Sequence, residues 1–241
     1  METALSARTA VPTQLTNRHI RMNQSERVVD EKYRDPYEVK RLDLIRKLLP
    51  RGANGAALEF GCGSGFVSAM LGSAGWQVTG VDLDPDNVED ARKRVKEAIH
   101  GDALTVARSI KERSFGLITI MELIEHLDEA DRPALLAETR RLTAPTGRLI
   151  LTTPNRMSPN GLTGYYIGEK MLGRRYRAWD HTHQRIYSSF EILAELRRCG
   201  WIPETIVGYH YKGRISLPLE SSSTFPLNRF GFNIMMRCQP A

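Results

Sequence analysis

Glu122, Glu125 and His126 fall at i, i+3 and i+4 in the run Met121-Glu122-Leu123-Ile124-Glu125-His126-Leu127. On a helical turn that spacing projects all three side chains from one side. Two carboxylates and an imidazole can hold a hard divalent cation such as Mg²⁺, and a cation so placed binds and acidifies a substrate hydroxyl. Packing or plain substrate contact is the alternative use of the same run. A second chemistry-bearing stretch is Glu59-Phe60-Gly61-Cys62-Gly63-Ser64-Gly65, a glycine-rich turn between an apolar strand and a helix. Without side chains, Gly61 and Gly63 let a ligand lie against the main chain at a strand's carboxyl end. The spacing is GxGxG, and Phe66 stands where a GxGxxG dinucleotide fold has its third glycine, which argues against a pyrophosphate cradle. Asp82 ends the next strand in Val81-Asp82-Leu83-Asp84 and sets a carboxylate beside the turn. An acid there can accept hydrogen bonds from both ribose hydroxyls of an adenosine ligand. Asp102, in Gly101-Asp102-Ala103 near a strand end, is placed to receive an adenine amino group, with a surface-loop acid as the alternative. Asp84, just before Pro85, reads as a helix N-cap.

The elements that must position these residues follow from periodicity. Asp35-Pro36 opens a helix carrying Leu42, Ile45, Leu48 and Leu49. Strands are expected at Ala56–Phe60, Trp76–Val81, Phe115–Ile120 and Arg148–Thr153. Helices are expected at Phe66–Ala74, Pro85–Ala98 and Asp131–Leu142, with a turn at Ala144-Pro145-Thr146-Gly147. Alternating strands and helices mean βαβ units, hence a parallel sheet covered on both faces. The rhythm breaks over residues 156–182, an insertion holding Tyr165, Tyr166, Lys170, Arg174, Arg175, Tyr176, Arg177 and Trp179. Interleaved aromatics and cations of this kind suit a substrate lid, stacked bases with phosphates, or a lipid headgroup layer, and equally a solvated loop. Order returns with a Ser188/Glu191 capping box that starts a helix running toward Gly200. Thr205–Tyr211 and Phe230–Cys238 then read as strands pairing antiparallel at a sheet edge.

The ordered set Glu59 to Gly65, Asp82, Gly101-Asp102-Ala103, Phe115 to Ile120 and Arg148 to Thr153 resembles the class I S-adenosylmethionine-dependent methyltransferases, over roughly residues 44–238. Gly116 stands where many of those relatives have the aspartate of an FDxI motif. The resemblance implies an α/β, Rossmann-like, mostly parallel seven-stranded sheet with helices on both faces and an antiparallel C-terminal edge. It implies S-adenosyl-L-methionine as cofactor, bound by Glu59, Gly61, Cys62, Gly63, Asp82, Leu83, Asp102, Ala103 and Met121, with in-line methyl transfer to a nucleophile. Met121 to Leu127, followed by Thr152-Thr153-Pro154-Asn155 and an insertion before His181-Thr182-His183, is similar to the ubiquinone-biosynthesis O-methyltransferases. Their metal site uses the matching acids and histidine, and their insertion touches membrane. The same run resembles the small-RNA 3′-terminal 2′-O-methyltransferases, in which a further histidine, matched here by His183, completes the site. Ile186-Tyr187-Ser188 and Trp179-Asp180-His181 depart from that second group, which ranks RNA below a small molecule. The implied ligands of Mg²⁺ or another divalent metal are Glu122, Glu125, His126 and His183. Where no metal is bound, His126 or His183 is the implied general base. The expected reaction is O-methylation of a phenolic or other hydroxyl-bearing metabolite. A nicotinamide-dependent reductase or a non-catalytic nucleotide-binding protein is the alternative of another class, and the GxGxG spacing and Asp102 speak against it.

Composition bounds the rest. At 241 residues, with 41% hydrophobic and 26% charged residues, the chain is neither collagenous nor low-complexity, and it buries a core without staples. The expected organisation is an arm and cap helix over residues 1–50 and a methyltransferase domain over 51–241. Cys62, Cys199 and Cys238 lack CxxC spacing and support no disulfide framework or thiolate metal site. No run approaches the roughly 18 apolar residues of a membrane span, and the first ten residues lack a secretory layout, so a cytoplasmic location is expected. Thirty-four basic against 28 acidic residues give +6, an excess compatible with an anionic ligand, nucleic acid, a membrane surface or no partner at all.

Overall fold

The computed structural model describes residues 36–50, 52, 55–111, 115–174, 176–178, 180–209 and 221–241. The expected N-cap Asp35, the N-terminal arm, and Arg175, Trp179 and Tyr211 lie outside the described residues. Eight strands form one sheet: β1 (Gly55–Phe60), β2 (Trp76–Asp82), β3 (Glu97–His100), β4 (Phe115–Met121), β5 (Thr143–Pro154), β6 (Trp201–Tyr209), β7 (Ser221–Ser222) and β8 (Asn233–Pro240). Their order is β3-β2-β1-β4-β5-β8-β6-β7. The first five pair in parallel, β8 runs antiparallel to β5, and β6 runs antiparallel to β8. The expected parallel sheet with an antiparallel C-terminal edge is present, and the two-residue β7 adds an eighth strand beyond it.

Period-two alternation divides the core. Leu58, Phe60, Ile118, Ile120, Leu149 and Leu151 point to one face, where they meet α4 (Ala103–Ser109), α5 (Asp131–Leu142) and α7 (Ser189–Arg198). Ala57, Leu117, Met121 and Ile150 point to the other, onto α1 (Pro36–Leu48) and α2 (Phe66–Ser73), where Leu44, Ile45 and Leu48 meet Val67, Met70 and Leu71. Burial on both faces is why these strands read as continuous apolar runs. The capping box forms as expected, Ser188 N–H donating to Glu191 Oε2 at 2.7 Å and Glu191 N–H to Ser188 Oγ at 3.2 Å.

Three expectations are corrected. The helix expected over Pro85–Ala98 ends at Arg92, as α3 (Pro85–Arg92), and Ala98 lies on β3 opposite Gly80. Unfilled hydrogen-bonding groups along β2 draw this segment into the sheet, and four residues are too few to display a strand period. The turn at residues 144–147 lies inside β5, as a register shift between the Phe115↔Thr143 and Leu117↔Arg148 pairs. The insertion is not irregular throughout: α6 (Pro159–Thr163), capped by Ser158, runs into a π-helical stretch at Gly164–Met171. Among the described residues, no helix is long and apolar enough to cross a membrane.

After β1 the chain moves outward to β2 and β3, then returns to place β4 on the other side of β1. That reversal opens a crevice at the carboxyl ends of β1 and β4, where open α/β sheets bind their ligands.

Candidate active site

One wall of the crevice is main chain. Gly61, Gly63 and Gly65 have φ of +71°, +53° and +83°, left-handed values that glycine adopts without steric cost. The N–H groups of Gly61 and Cys62 both donate to the Val81 carbonyl, at 2.8 and 3.0 Å, and tie the turn to the end of β2. A Cβ on Gly65 would lie 2.9 Å from Ala91 Cα, whereas one on Gly63 would enter open space. Gly63 therefore leaves room for a ligand to reach the backbone.

Asp82 stands where the sequence sets it. Its Oδ2 accepts from Gly63 N–H at 2.7 Å, and its Oδ1 accepts from Asp84 N–H at 3.0 Å and Asn87 Nδ2 at 3.2 Å. A carboxylate offers about four acceptor directions, so capture of two ribose hydroxyls requires one of these donors to yield. Glu59 is buried under the turn and bonded to the Ser68 hydroxyl, and burial raises its carboxyl to about 8. Burial, with Glu59 and Asp82 nearby, pushes the Cys62 thiol up to about 12, so it remains a thiol. Leu83, 68% exposed, follows Asp82 at the rim. Asp102 is the N-cap of α4, accepting from Thr105 N–H at 2.8 Å, with Ala103 as the first residue of that helix. Met121 is buried at the end of β4.

The opposite wall is made of side chains from distant segments. Glu122 has φ +53°, unusual for a residue with a Cβ, and its N–H donates to Thr152 Oγ1 at 3.1 Å. Strain of this kind concentrates at functional sites. The left-handed step breaks helical phase, so Glu122 does not share a face with Glu125 and His126. Its carboxylate instead accepts from Asn233 Nδ2 at 2.9 Å and Tyr209 Oη at 3.4 Å, and burial raises its pKa. A single 3₁₀ turn at Ile124–His126 carries the other two residues.

Glu125 is fully buried. Its Oε2 accepts from Thr153 Oγ1 at 3.1 Å, while Oε1 has no hydrogen-bond partner among the described residues. Burial, and next the charge of Glu122, holds this carboxyl well above the usual range. The Glu125 carbonyl accepts from Gln184 N–H at 2.8 Å and Arg185 N–H at 3.3 Å, which docks the end of the insertion and delivers His183. The His126 and His183 rings lie 4.8 Å apart between centroids. Ligand atoms of Glu125, His126 and His183 fall within 4.8 Å of one another. Of the four implied metal ligands the fold thus gathers three and sends Glu122 elsewhere. His183 Nδ1 lies 2.9 Å from the Arg177 carbonyl, which only accepts, so Nδ1 carries a proton. Burial and the neighbouring His183 lower the His126 pKa.

Beside this cluster the insertion frames a groove of about 480 Å³ lined by Gly164, Gly168, Arg174, Tyr176, Arg177 and Asp180. Tyr165 lies beneath the Arg156 guanidinium at 4.2 Å, and Lys170 reaches the same ring. Thr153, Asp180 and Thr182 are joined to the cluster by hydrogen bonds, and periodicity did not single them out. Asp180-His181-Thr182 does carry a readable signal, an Asx turn in which Asp180 Oδ1 accepts from Thr182 N–H at 2.8 Å.

The chain matches the family model described as a methyltransferase domain over residues 30–204. It is 30% identical over 171 residues to a ubiquinone biosynthesis O-methyltransferase of Xanthomonas axonopodis pv. citri, covering 69% of this chain and 70% of that one. Among solved structures it is similar to a SAM-dependent methyltransferase from Archaeoglobus fulgidus, with TM-score 0.64, 18% identity and coverage of 88% and 98%. It is also similar to the N-methyltransferase NodS of Bradyrhizobium japonicum in complex with S-adenosyl-l-homocysteine, with TM-score 0.61, 18% identity and coverage of 87% and 90%.

Proposed function

The chain belongs to the S-adenosylmethionine-dependent methyltransferases, and from that premise we propose that it methylates a hydroxyl of a small-molecule acceptor beside Glu125, His126 and His183. The reductase and non-catalytic alternatives fall with the family. The observation that carries the reading is Glu125 Oε1, a buried polar atom with no hydrogen-bond partner among the described residues, set beside two imidazoles. A bound acceptor hydroxyl or a cation would satisfy it. Relatives named as ubiquinone biosynthesis O-methyltransferases support a hydroxyl-bearing acceptor.

S-adenosylmethionine supplies a methyl group on a sulfonium, and transfer leaves S-adenosylhomocysteine. The chain's own contribution is mainly positional. The glycine turn and Asp82 fix the adenosine end, and Met121 closes the floor between the two walls. His126, held neutral by burial, accepts a hydroxyl proton near neutral pH. Glu125, His126 and His183 also fit a divalent ion, because one ligand atom from each lies within 4.8 Å of the others. Two imidazoles with one carboxylate suit a transition ion such as Zn²⁺ better than Mg²⁺. An ion held there by Glu125, His126 and His183 would supply Lewis-acid polarisation of the acceptor oxygen.

The test is transfer of a labelled methyl group to phenolic and catecholic acceptors and, separately, to short RNAs, each with Mg²⁺, Zn²⁺ or excess EDTA. Transfer to the phenolic set that EDTA abolishes is expected. Transfer to RNA alone would overturn the small-molecule reading. Full activity in EDTA would remove the metal and leave His126 as base.

A further inference from the structure

Thr182 and Asp180 sit at the end of the insertion, where neither touches the crevice floor, yet both reach the site through His126. Thr182 Oγ1 lies 3.0 Å from His126 Nδ1 and 2.7 Å from Asp180 Oδ1. A hydroxyl has one proton. Asp180 Oδ1 accepts from the Thr182 N–H at 2.8 Å as well as from the Thr182 hydroxyl, so the carboxylate oxygen is the acceptor of the pair. The Thr182 proton therefore goes to Asp180, and Thr182 meets His126 Nδ1 with a lone pair. His126 must then donate from Nδ1, which leaves the lone pair on Nε2.

The partner histidine is set in the same way by a different device, since His183 Nδ1 donates to the Arg177 carbonyl. Both devices come from one short stretch, residues 177–183, which the Glu125 carbonyl anchors through Gln184 and Arg185.

We propose that Thr182, oriented by Asp180, is a positioning residue that fixes His126 in the Nδ1–H tautomer, so that both imidazoles present Nε2 toward Glu125. The inference deepens the site of the proposed methyl transfer and rests on that reading for its consequence in turnover, though not for the tautomer itself. Neutral histidine with no partner at either nitrogen favours the Nε2–H form, so two neighbouring Nδ1–H histidines are a distinctive signature. The conformation also gives Thr182 and Asp180, polar residues outside the cluster, a part in it: they hold a proton position rather than reacting atoms.

The experiment is long-range ¹H–¹⁵N correlation of the imidazoles in the full chain, without metal, at about pH 8, above the histidine range. Wild type is expected to show Nδ1–H at both His126 and His183. Thr182→Val, equal in shape, is expected to move His126 to Nε2–H while His183 stays unchanged. Asp180→Ala, which releases the threonine proton toward Nδ1, is expected to move it the same way, and Thr182→Ser is expected to keep the wild-type pattern. Thr182→Val should also lower kcat by about 10- to 100-fold with the KM for S-adenosylmethionine unchanged, as removal of a ligand's supporting hydrogen bond does, and Thr182→Ser should restore it. An Nε2–H tautomer at His126 in wild type, or one that Thr182→Val leaves at Nδ1–H, overturns the proposal. Correct tautomers in a protein that transfers no methyl group to either acceptor set would sink the functional reading and leave this one standing.

Discussion

The two walls of the crevice are built by opposite means. The wall we assign to the cofactor is one contiguous turn, Glu59 to Gly65, closed by Asp82, and its shape is a matter of φ angles and backbone N–H groups. The wall we assign to the acceptor draws Glu125 and His126 from one turn, Thr153 from β5 and His183 from the end of an insertion, and joins them by contacts between segments far apart in sequence. A wall of main chain tolerates changes of side chain but not the addition of a Cβ. A wall of long-range side-chain contacts tolerates neither partner's loss, yet it is where loop variation alters the acceptor without disturbing the scaffold.

The largest expected effects test whether the walls are separable. Glu125→Gln keeps the shape and removes a carboxyl that can give up its proton or hold a cation, and it should lower kcat by about 10²- to 10⁴-fold, the range of a positioned acid-base group, with S-adenosylhomocysteine affinity unchanged. Asp82→Ala should do the reverse. Each charge-assisted hydrogen bond is worth about 1.5–3 kcal/mol, so loss of one or two to the ribose lowers affinity by at least about tenfold and up to about 10⁴-fold. Calorimetry with S-adenosylhomocysteine and single-turnover transfer read the two quantities independently. Equal loss of cofactor affinity in both variants would break the division.

Smaller effects should divide the cofactor wall itself. Gly65→Ala places a Cβ 2.9 Å from the Ala91 backbone at φ +83°, so its cost falls on stability. Left-handed backbone costs about 1–2 kcal/mol and overpacking about 1–3 more. Gly63→Ala meets nothing within 4 Å at φ +53°, so only the first cost applies to folding. The new methyl group occupies ligand space instead. Thermal unfolding and cofactor titration should therefore rank the two variants in opposite order, and a shared ranking would mean that Gly63 has no ligand above it.

Much of this architecture is written locally. GxGxG needs left-handed residues and has them, Asp84 caps α3 by accepting from Asp86 N–H at 2.9 Å, and the Ser188/Glu191 box starts α7 where its spacing says. What escaped the sequence depends on partners. β3 exists because β2 has an edge to fill, and its four residues carry no period of their own. Glu122 leaves the face of Glu125 and His126 because Thr152, Asn233 and Tyr209, on three other strands, stabilise a backbone state that a glutamate rarely visits. His183 was legible only through family resemblance, since no local rule brings the end of an insertion back to a turn some sixty residues earlier.

The last expected effect concerns the acid beneath the cofactor wall. Burial raises the Glu59 carboxyl from 4.5 to about 8, so the folded protein binds this proton more tightly than the unfolded chain does. The sign follows from linkage: the group's contribution to stability is fully present below pH 4.5 and is lost as pH rises through about 8. Glu59→Gln supplies a permanently neutral side chain of the same size and removes that slope. The melting temperatures of wild type and Glu59→Gln should lie near each other at pH 5 and separate as pH rises to 8, with the variant the more stable at the alkaline end. Saturating S-adenosylmethionine should narrow the gap, because its cationic sulfonium and amino group favour the ionised glutamate. A gap that does not change with pH would mean that Glu59 is ionised in the fold, and that the cofactor wall carries a resident negative charge before any ligand arrives.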